Sequence, residues 1–343
     1  MRSRTILPGI LAAAFLLLVG GCLLQSQKAQ QEVSASRQIV AMDTVMSFEA
    51  YGKNAEEAVA EAVKEVQRLD ELFSTGKESS EVSLLNDCRN SRVSEDTLAV
   101  LQKALFLYED TKGLFDPTIY PLMKLWGFTD KQYHVPDQKE LDQVLPLVDA
   151  SKVQVLGNQV TLGDGQMLDL GGIAKGYASG RLMEIYREYG ITSGQVSLGG
   201  NVQVLGVKPD GSKWKIGIRD PEGEQGQILA SVQVQDQAVI TSGGYERYFE
   251  EDGNTYIHIL DPRTGCPADG DLASVTVISG NGMLADGLST ALYLMGKEEA
   301  CSYWRKHPEN LDLVLVTKDG ALYVTEGIAE DFYSEKSYEV VKR

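Results

Sequence analysis

Cationic side chains are scarce in this 343-residue chain: 32 Lys and Arg stand against 49 Asp and Glu, a net charge of −17. With no basic surface to displace counterions from a phosphate backbone, nucleic acid is excluded as a partner. The same deficit opposes adsorption of the folded body to anionic lipid headgroups. A bound polyanion would therefore need a metal ion beside it. Cysteine is also scarce: Cys22, Cys88, Cys266 and Cys301 include no C-x-x-C pair, and the three histidines are not spaced as zinc ligands. A disulfide framework is thereby excluded, and Cys88, Cys266 and Cys301 can form at most one bridge. The apolar run at residues 6–19 is too short to span a bilayer comfortably. What remains, 43% hydrophobic and 24% charged, is the composition of an ordinary globular domain.

That apolar run follows Arg2 and Arg4, is broken by Pro8 and Gly9, and ends in Leu18-Val19-Gly20-Gly21-Cys22. The pattern is that of a signal peptide, and its end resembles a bacterial lipobox. We therefore expect a lipoprotein signal peptide over 1–21 and a diacylated Cys22 as the first mature residue. A flexible tether rich in Gln, Ser and Ala should cover 22–38, with one integrated domain over 39–343. The protein would then be lipid-anchored to the cell membrane on its extracytoplasmic side. An incidental cysteine after an ordinary signal peptide, or an uncleaved anchor, are the alternatives.

Apolar residues at three-to-four spacing predict a helix over about 54–73, with Val59, Ala62, Val66, Leu69 and Phe73 inward. A second helix is expected from an N-cap at Ser94 to near Gly113, and a third over about 173–189. Residues 153–162 read as a hairpin turning at Gly157-Asn158. Short strands follow at 194–198, 214–218, 228–234, 256–260, 274–278, 313–316 and 322–324. Helices are expected at 284–295 and 297–306. Strands that cluster instead of alternating with helices predict an α+β fold of mainly antiparallel sheets flanked by helices.

Three places could carry chemistry. Asp286 and Thr290 are four residues apart on one face of a predicted helix, opposite Leu284, Leu288 and Leu292, and hard oxygen ligands of this kind suit Mg²⁺. Spacing alone reads them equally as a polar helix face. Asp169-Leu170-Gly171-Gly172-Ile173-Ala174-Lys175-Gly176 is a glycine-rich entry to a helix, where backbone groups can approach an anion; composition alone reads it as a tight turn. His258, beside Asp261 and Arg263, is suited to taking a proton from a hydroxyl, or to a structural hydrogen bond in its turn.

Taken in order, these segments resemble the ApbE family of FAD:protein FMN transferases. The landmarks are Met42-Asp43-Thr44, Phe73-Ser74-Thr75, Phe115-Asp116-Pro117-Thr118, Asp169 to Gly176, Leu198-Gly199-Gly200-Asn201, Thr241-Ser242-Gly243, His258 to Gly265 and Ala285 to Leu292. The resemblance implies an ApbE-like, T-fold-like core and a single catalytic domain. It implies Mg²⁺-dependent transfer of FMN from FAD to a Thr or Ser hydroxyl of an acceptor flavoprotein, with release of AMP. Acceptors would be subunits such as those of Na⁺-translocating or Rnf-type redox complexes. It makes Gly172, Asp286 and Thr290 the Mg²⁺ ligands, His258 the base, and Met42, Leu114, Phe115, Asp116, Asp169, Lys175 and Ile259 the lining of the FAD site. The chain departs from the family pattern at Gly76, where an aromatic residue is common, and at Cys266, where Tyr is usual. Hydrolysis of FAD to FMN and AMP, and flavin binding without catalysis, are the competing readings.

Overall fold

The structure, a computed structural model, describes residues 34–224, 226–308 and 311–343. The expected signal peptide and Cys22 lie outside the described residues. Nine strands form the main sheet: β1 (Ser34–Ala41), β2 (Thr44–Tyr51), β3 (Ser193–Leu198), β4 (Asn201–Leu205), β5 (Ala238–Gly243), β6 (Leu272–Ser279), β7 (Asp312–Thr317), β8 (Leu322–Thr325) and β9 (Glu339–Val341). They lie side by side in chain order. Every neighbouring pair is antiparallel except the last, β8 with β9. The mainly antiparallel α+β architecture is as expected.

Period-two alternation gives this sheet two buried faces. In β7, Leu313 and Leu315 enter the larger core while Val314 and Val316 enter a second one. The larger core is closed by helices α1 (Ala55–Phe73), α2 (Glu81–Cys88), α3 (Glu95–Asp110), α6 (Ala174–Glu188) and α7 (Gly282–Lys306). On the other face, a three-stranded sheet of Trp214–Arg219, Ile228–Val234 and Phe332–Ser334 packs over the later strands. A third, smaller cluster joins α4 (Tyr120–Leu125) and α5 (Gln138–Val144) to a separate hairpin, Tyr248–Glu251 with Asn254–Ile257, through Trp126, Phe128 and Phe249.

Helix α1 buries Val59, Ala62, Val66, Leu69 and Phe73, the predicted stripe. Helix α3 starts from Ser94, whose side chain accepts from Thr97 N. The 153–162 hairpin turns at Gly157 and Asn158, with Leu156 opposite Gln159. The two helices expected around residue 296 are one element broken at Gly296 (φ 74°, ψ 172°), where Asp271 accepts from Lys297 N at 3.0 Å and restarts the second half.

Other expectations change. Of the tether expected over 22–38, residues 34–38 instead pair in β1, Arg37 opposite Phe48, and residues 22–33 lie outside the described residues. Residues 34–51 form two strands, β1 and β2, joined by a two-residue turn at Met42 and Asp43. The short helices α2, α4 and α5 carry too few turns for periodicity to reveal them. Cys88, Cys266 and Cys301 are all free. Among the described residues, no helix is long and apolar enough to cross a membrane.

Helices α6 and α7 touch through glycine. A Cβ at Gly176 would stand 2.2 Å from Gly282 O and 2.6 Å from Asp286 Cβ, whereas one at Gly180 on the same helix meets nothing within 4 Å. We expect Gly176→Ala to cost about 1–3 kcal/mol through overpacking. Gly180→Ala should be stabilising by about 0.5–1 kcal/mol. Urea denaturation of both variants checks this; equal effects would refute the close contact.

Candidate active site

Two hairpin turns and two helices converge at one end of the main sheet. The β1–β2 turn places Ala41 opposite Thr44, with Met42 (φ 46°) and Asp43 (φ 57°) in the left-handed region between them. That conformation is rare for a bulky side chain, and such strain gathers at functional positions. The β3–β4 turn is Gly199-Gly200, also at positive φ, with Leu198 opposite Asn201. The two turns abut, since a Cβ at Gly199 would lie 2.4 Å from Thr44 Oγ1.

Asp286 sits in the middle of this arrangement at 5% exposure. Its Oδ2 accepts from Gly176 N at 2.7 Å and its Oδ1 from Asn201 Nδ2 at 2.7 Å. Burial pushes its carboxyl above the usual carboxylate range, and the Lys175 charge and these donors offset only part of that. A helix with one polar, accessible face was expected, but α7 is buried on nearly every side, Asp286 included. One turn on, Thr290 Oγ1 lies 3.5 Å from Ser242 Oγ, which pairs with Ser289 Oγ at 2.8 Å. A Cβ at Gly172 would be 3.9 Å from Thr290 Oγ1 and 3.2 Å from the Phe115 ring. The structure thus brings Gly172, Asp286 and Thr290 together.

Asp169 lies at the mouth of the same region. Its Oδ1 accepts from Gly171 N at 2.7 Å; burial raises its pKa, with the Arg247 and Lys175 charges opposing and Asp43 adding to the rise. Lys175 Nζ donates to Gly171 O at 3.2 Å. His258 follows the Asn254–Ile257 strand, and its ring Nδ1 lies 3.1 Å from Arg247 O. A carbonyl only accepts, so Nδ1 is assigned the hydrogen and Nε2 keeps a free lone pair. Burial, helped by the Arg247 and Lys175 charges, lowers the His258 pKa to about 4. The ring is neutral at ordinary pH.

Leu114, Phe115 and Ile259 are buried, and the Ile259 carbonyl accepts from Ala268 N at 2.8 Å. Asp116 was expected to line the site, but its carboxylate is engaged in its own loop: Oδ1 accepts from Thr118 N at 2.7 Å and Thr118 Oγ1 at 2.6 Å, and Oδ2 from Ala150 N at 3.2 Å. Gly76 leaves open space, its nearest outside neighbour being Ser74 Oγ at 3.7 Å from a Cβ built there. Half-buried Cys266 packs beside the Trp126 cluster. Asn201, Ser242 and Arg247 were not predicted as site residues. A polar residue directly after Gly199-Gly200 was the one available sign of Asn201.

Among the described residues, no three or more of His, Cys, Asp and Glu gather as a metal site. Any cation here would meet one carboxylate and neutral oxygens. That donor set fits Mg²⁺, which takes one or two carboxylates and fills its shell from water and substrate phosphate.

Residues 42–315 match the ApbE family. An FAD:protein FMN transferase of Treponema pallidum is 32% identical over 319 residues, covering 86% of this chain and 88% of its own. One of Vibrio cholerae is 31% identical over 324 residues, 91% of this chain and 94% of its own. Among solved structures, the ApbE protein of Thermotoga maritima superposes with a TM-score of 0.81 at 32% identity, covering 86% of this chain and 98% of that one. The flavin transferase ApbE of Vibrio cholerae gives 0.78 at 27% identity, covering 86% and 97%. Sequence, fold and converging residues together make this chain a member of the ApbE family.

Proposed function

We propose that this chain transfers FMN from FAD to a Thr or Ser hydroxyl of an acceptor flavoprotein. One observation carries the reading: a buried carboxylate, Asp286, one helical turn from Thr290 and its neighbour Gly172, shares the charge of Lys175 with a neutral imidazole whose Nε2 is free. Relatives along most of the chain's length bear the name of that reaction.

Asp286, Thr290 and the Gly172 carbonyl are the residues that would hold Mg²⁺; when bound it neutralises the pyrophosphate and stabilises the departing phosphate. His258 Nε2 takes the proton of the acceptor hydroxyl. The hydroxyl oxygen forms the new bond to the FMN phosphorus, the pyrophosphate P–O bond breaks, and AMP leaves with that electron pair. Met42, Phe115, Asp169, Lys175 and Ile259 border the FAD, and the Asp116 loop shapes the edge. Lys175 and Arg247 provide positive charge at this position in a chain of net charge −17. By the same proposal, Cys22 carries the lipid that holds the domain on the extracytoplasmic face of the membrane; the lipobox residues support this.

The domain, FAD, Mg²⁺ and a candidate acceptor subunit should together give an acceptor heavier by one FMN in mass spectrometry. Asp286→Ala should abolish the gain. AMP and free FMN beside an unmodified acceptor would replace transfer with hydrolysis, and unchanged FAD would leave a binding protein.

His258→Ala should lower kcat by roughly 10²–10⁴-fold while FAD binding persists, since it removes a base and no binding contact. A parallel loss of FAD affinity by calorimetry would make His258 structural.

The pH dependence follows from the sign of the shift. His258 has a depressed pKa, so its neutral form persists as pH falls from 8 and is lost only near 4. Transfer should show no acid limb near 6.5 from this group, and NMR titration of the ring should give about 4. A ring titrating near 6.5 would refute the burial argument. Cys22→Ala should release the protein from the membrane fraction; retention there would refute lipid anchoring.

A further inference from the structure

His258 is held by more than its own strand. In the register of its hairpin Tyr248 lies opposite Ile257, so Arg247 and His258 face each other one step further along. Backbone N–H of His258 donates to the Arg247 carbonyl at 3.0 Å, and the ring Nδ1 lies 3.1 Å from the same oxygen. One carbonyl, with two lone pairs, thus receives both hydrogens. The Arg247 side chain donates from Nη2 to the Phe128 carbonyl at 2.6 Å. Phe128 closes the circuit: its ring stands edge-on to the imidazole, centroids 6.4 Å apart at 68°. At 1% exposure, within the cluster of Trp126 and Phe249, Phe128 is a rigid anchor.

We propose that Arg247 is a positioning residue for His258: its guanidinium, strapped to Phe128, fixes the Arg247 carbonyl, and that carbonyl holds the imidazole in the tautomer that leaves Nε2 free for the acceptor hydroxyl. The inference rests on His258 as the base of the proposed transfer. The wrong tautomer would present an N–H to the hydroxyl and could take no proton from it, so the strap acts on rate and not on FAD affinity. The charged groups that face the ring are Arg247 and Lys175, both positive, while Asp169 faces the same pair of cations. Their charge disfavours a protonated ring, as the carbonyl disfavours the wrong neutral one.

The test uses the full domain labelled with ¹⁵N-histidine, His258 being assigned by the resonance missing in His258→Ala. In the wild type, Nδ1 should give the protonated and Nε2 the unprotonated ¹⁵N shift. Arg247→Met should move both shifts toward the other tautomer. It should also lower kcat about ten-fold, part of what a positioned base contributes, with the KM for FAD changed less than about two-fold. Arg247→Lys, which keeps a charge and a donor for the Phe128 carbonyl, should restore the shifts and most of the rate. Unchanged ring shifts in Arg247→Met overturn the proposal, whatever happens to Tm. Should Arg247→Met not fold, Arg247→Ala, which also removes the donor to Phe128, is read in its place, and unchanged shifts there overturn it equally. Shifted resonances with transfer unaffected, in this variant and in His258→Ala alike, would sink His258 as base and leave the strap standing.

Discussion

The carboxylate of Asp286 lies between two helices, and the site follows from how that burial is made tolerable. An unpaired buried carboxylate costs several kcal/mol. Here each oxygen has a donor, and both donors depend on close backbone approach. Gly176 can offer its N–H only because α6 and α7 meet without side chains at Gly176 and Gly282. Asn201 reaches from the other side because the Gly199-Gly200 turn ends β3 within the sheet and starts β4 beneath the helix. Remove the helix contact and the carboxylate loses a partner as well as its shelter from water.

The turns at the end of the sheet extend the same constraint outward. Met42 and Asp43 occupy left-handed backbone, and the adjoining turn must have glycine at 199 because Thr44 fills the space where a side chain would stand. Strain in two adjacent tips is maintained only if the strands behind them are fixed. They are, by a nine-strand ladder buried on both faces through much of its width. In the proposed reaction, the loops that border the ligand are thereby mounted on a sheet with cores on both faces.

How far this was legible from the residues depended on the range of the interaction. The stripe of α1, the Ser94 cap and the Gly157-Asn158 turn follow from neighbours a few positions apart, and they appear where expected. Asp286 and Thr290 were visible as a pair for the same reason. What pairs with them was not: Gly176 lies 110 residues from Asp286 and Asn201 85 residues away, and no periodicity encodes such a meeting. Asp116 shows the same limit from another side. It stands in a landmark motif, yet its oxygens serve Thr118 and Ala150, a use that composition could not distinguish from ligand contact. Ser34 to Gln38 read as tether because polar residues on an edge strand have the composition of a linker.

Burial is the largest cause of the shifts at Asp169, Asp286 and His258 alike, and in each it acts against the charged form. Three groups of two chemical kinds are driven toward neutrality by one environment, with Lys175 pulling both acids back, Arg247 pulling back Asp169, and both cations pushing the histidine further. The consequence differs by kind. In the proposed reaction neutrality is the working state of a base, and the lowered pKa of His258 supplies it without any ligand. Burial opposes the charge of Asp286, and in the proposed reaction a cation beside it would favour that charge. A polyanion is in turn poorly received by so acidic a chain unless that cation accompanies it. In the proposed reaction the site is therefore selective in order as well as in shape: the base is set by the protein alone, while the acid is set by what binds.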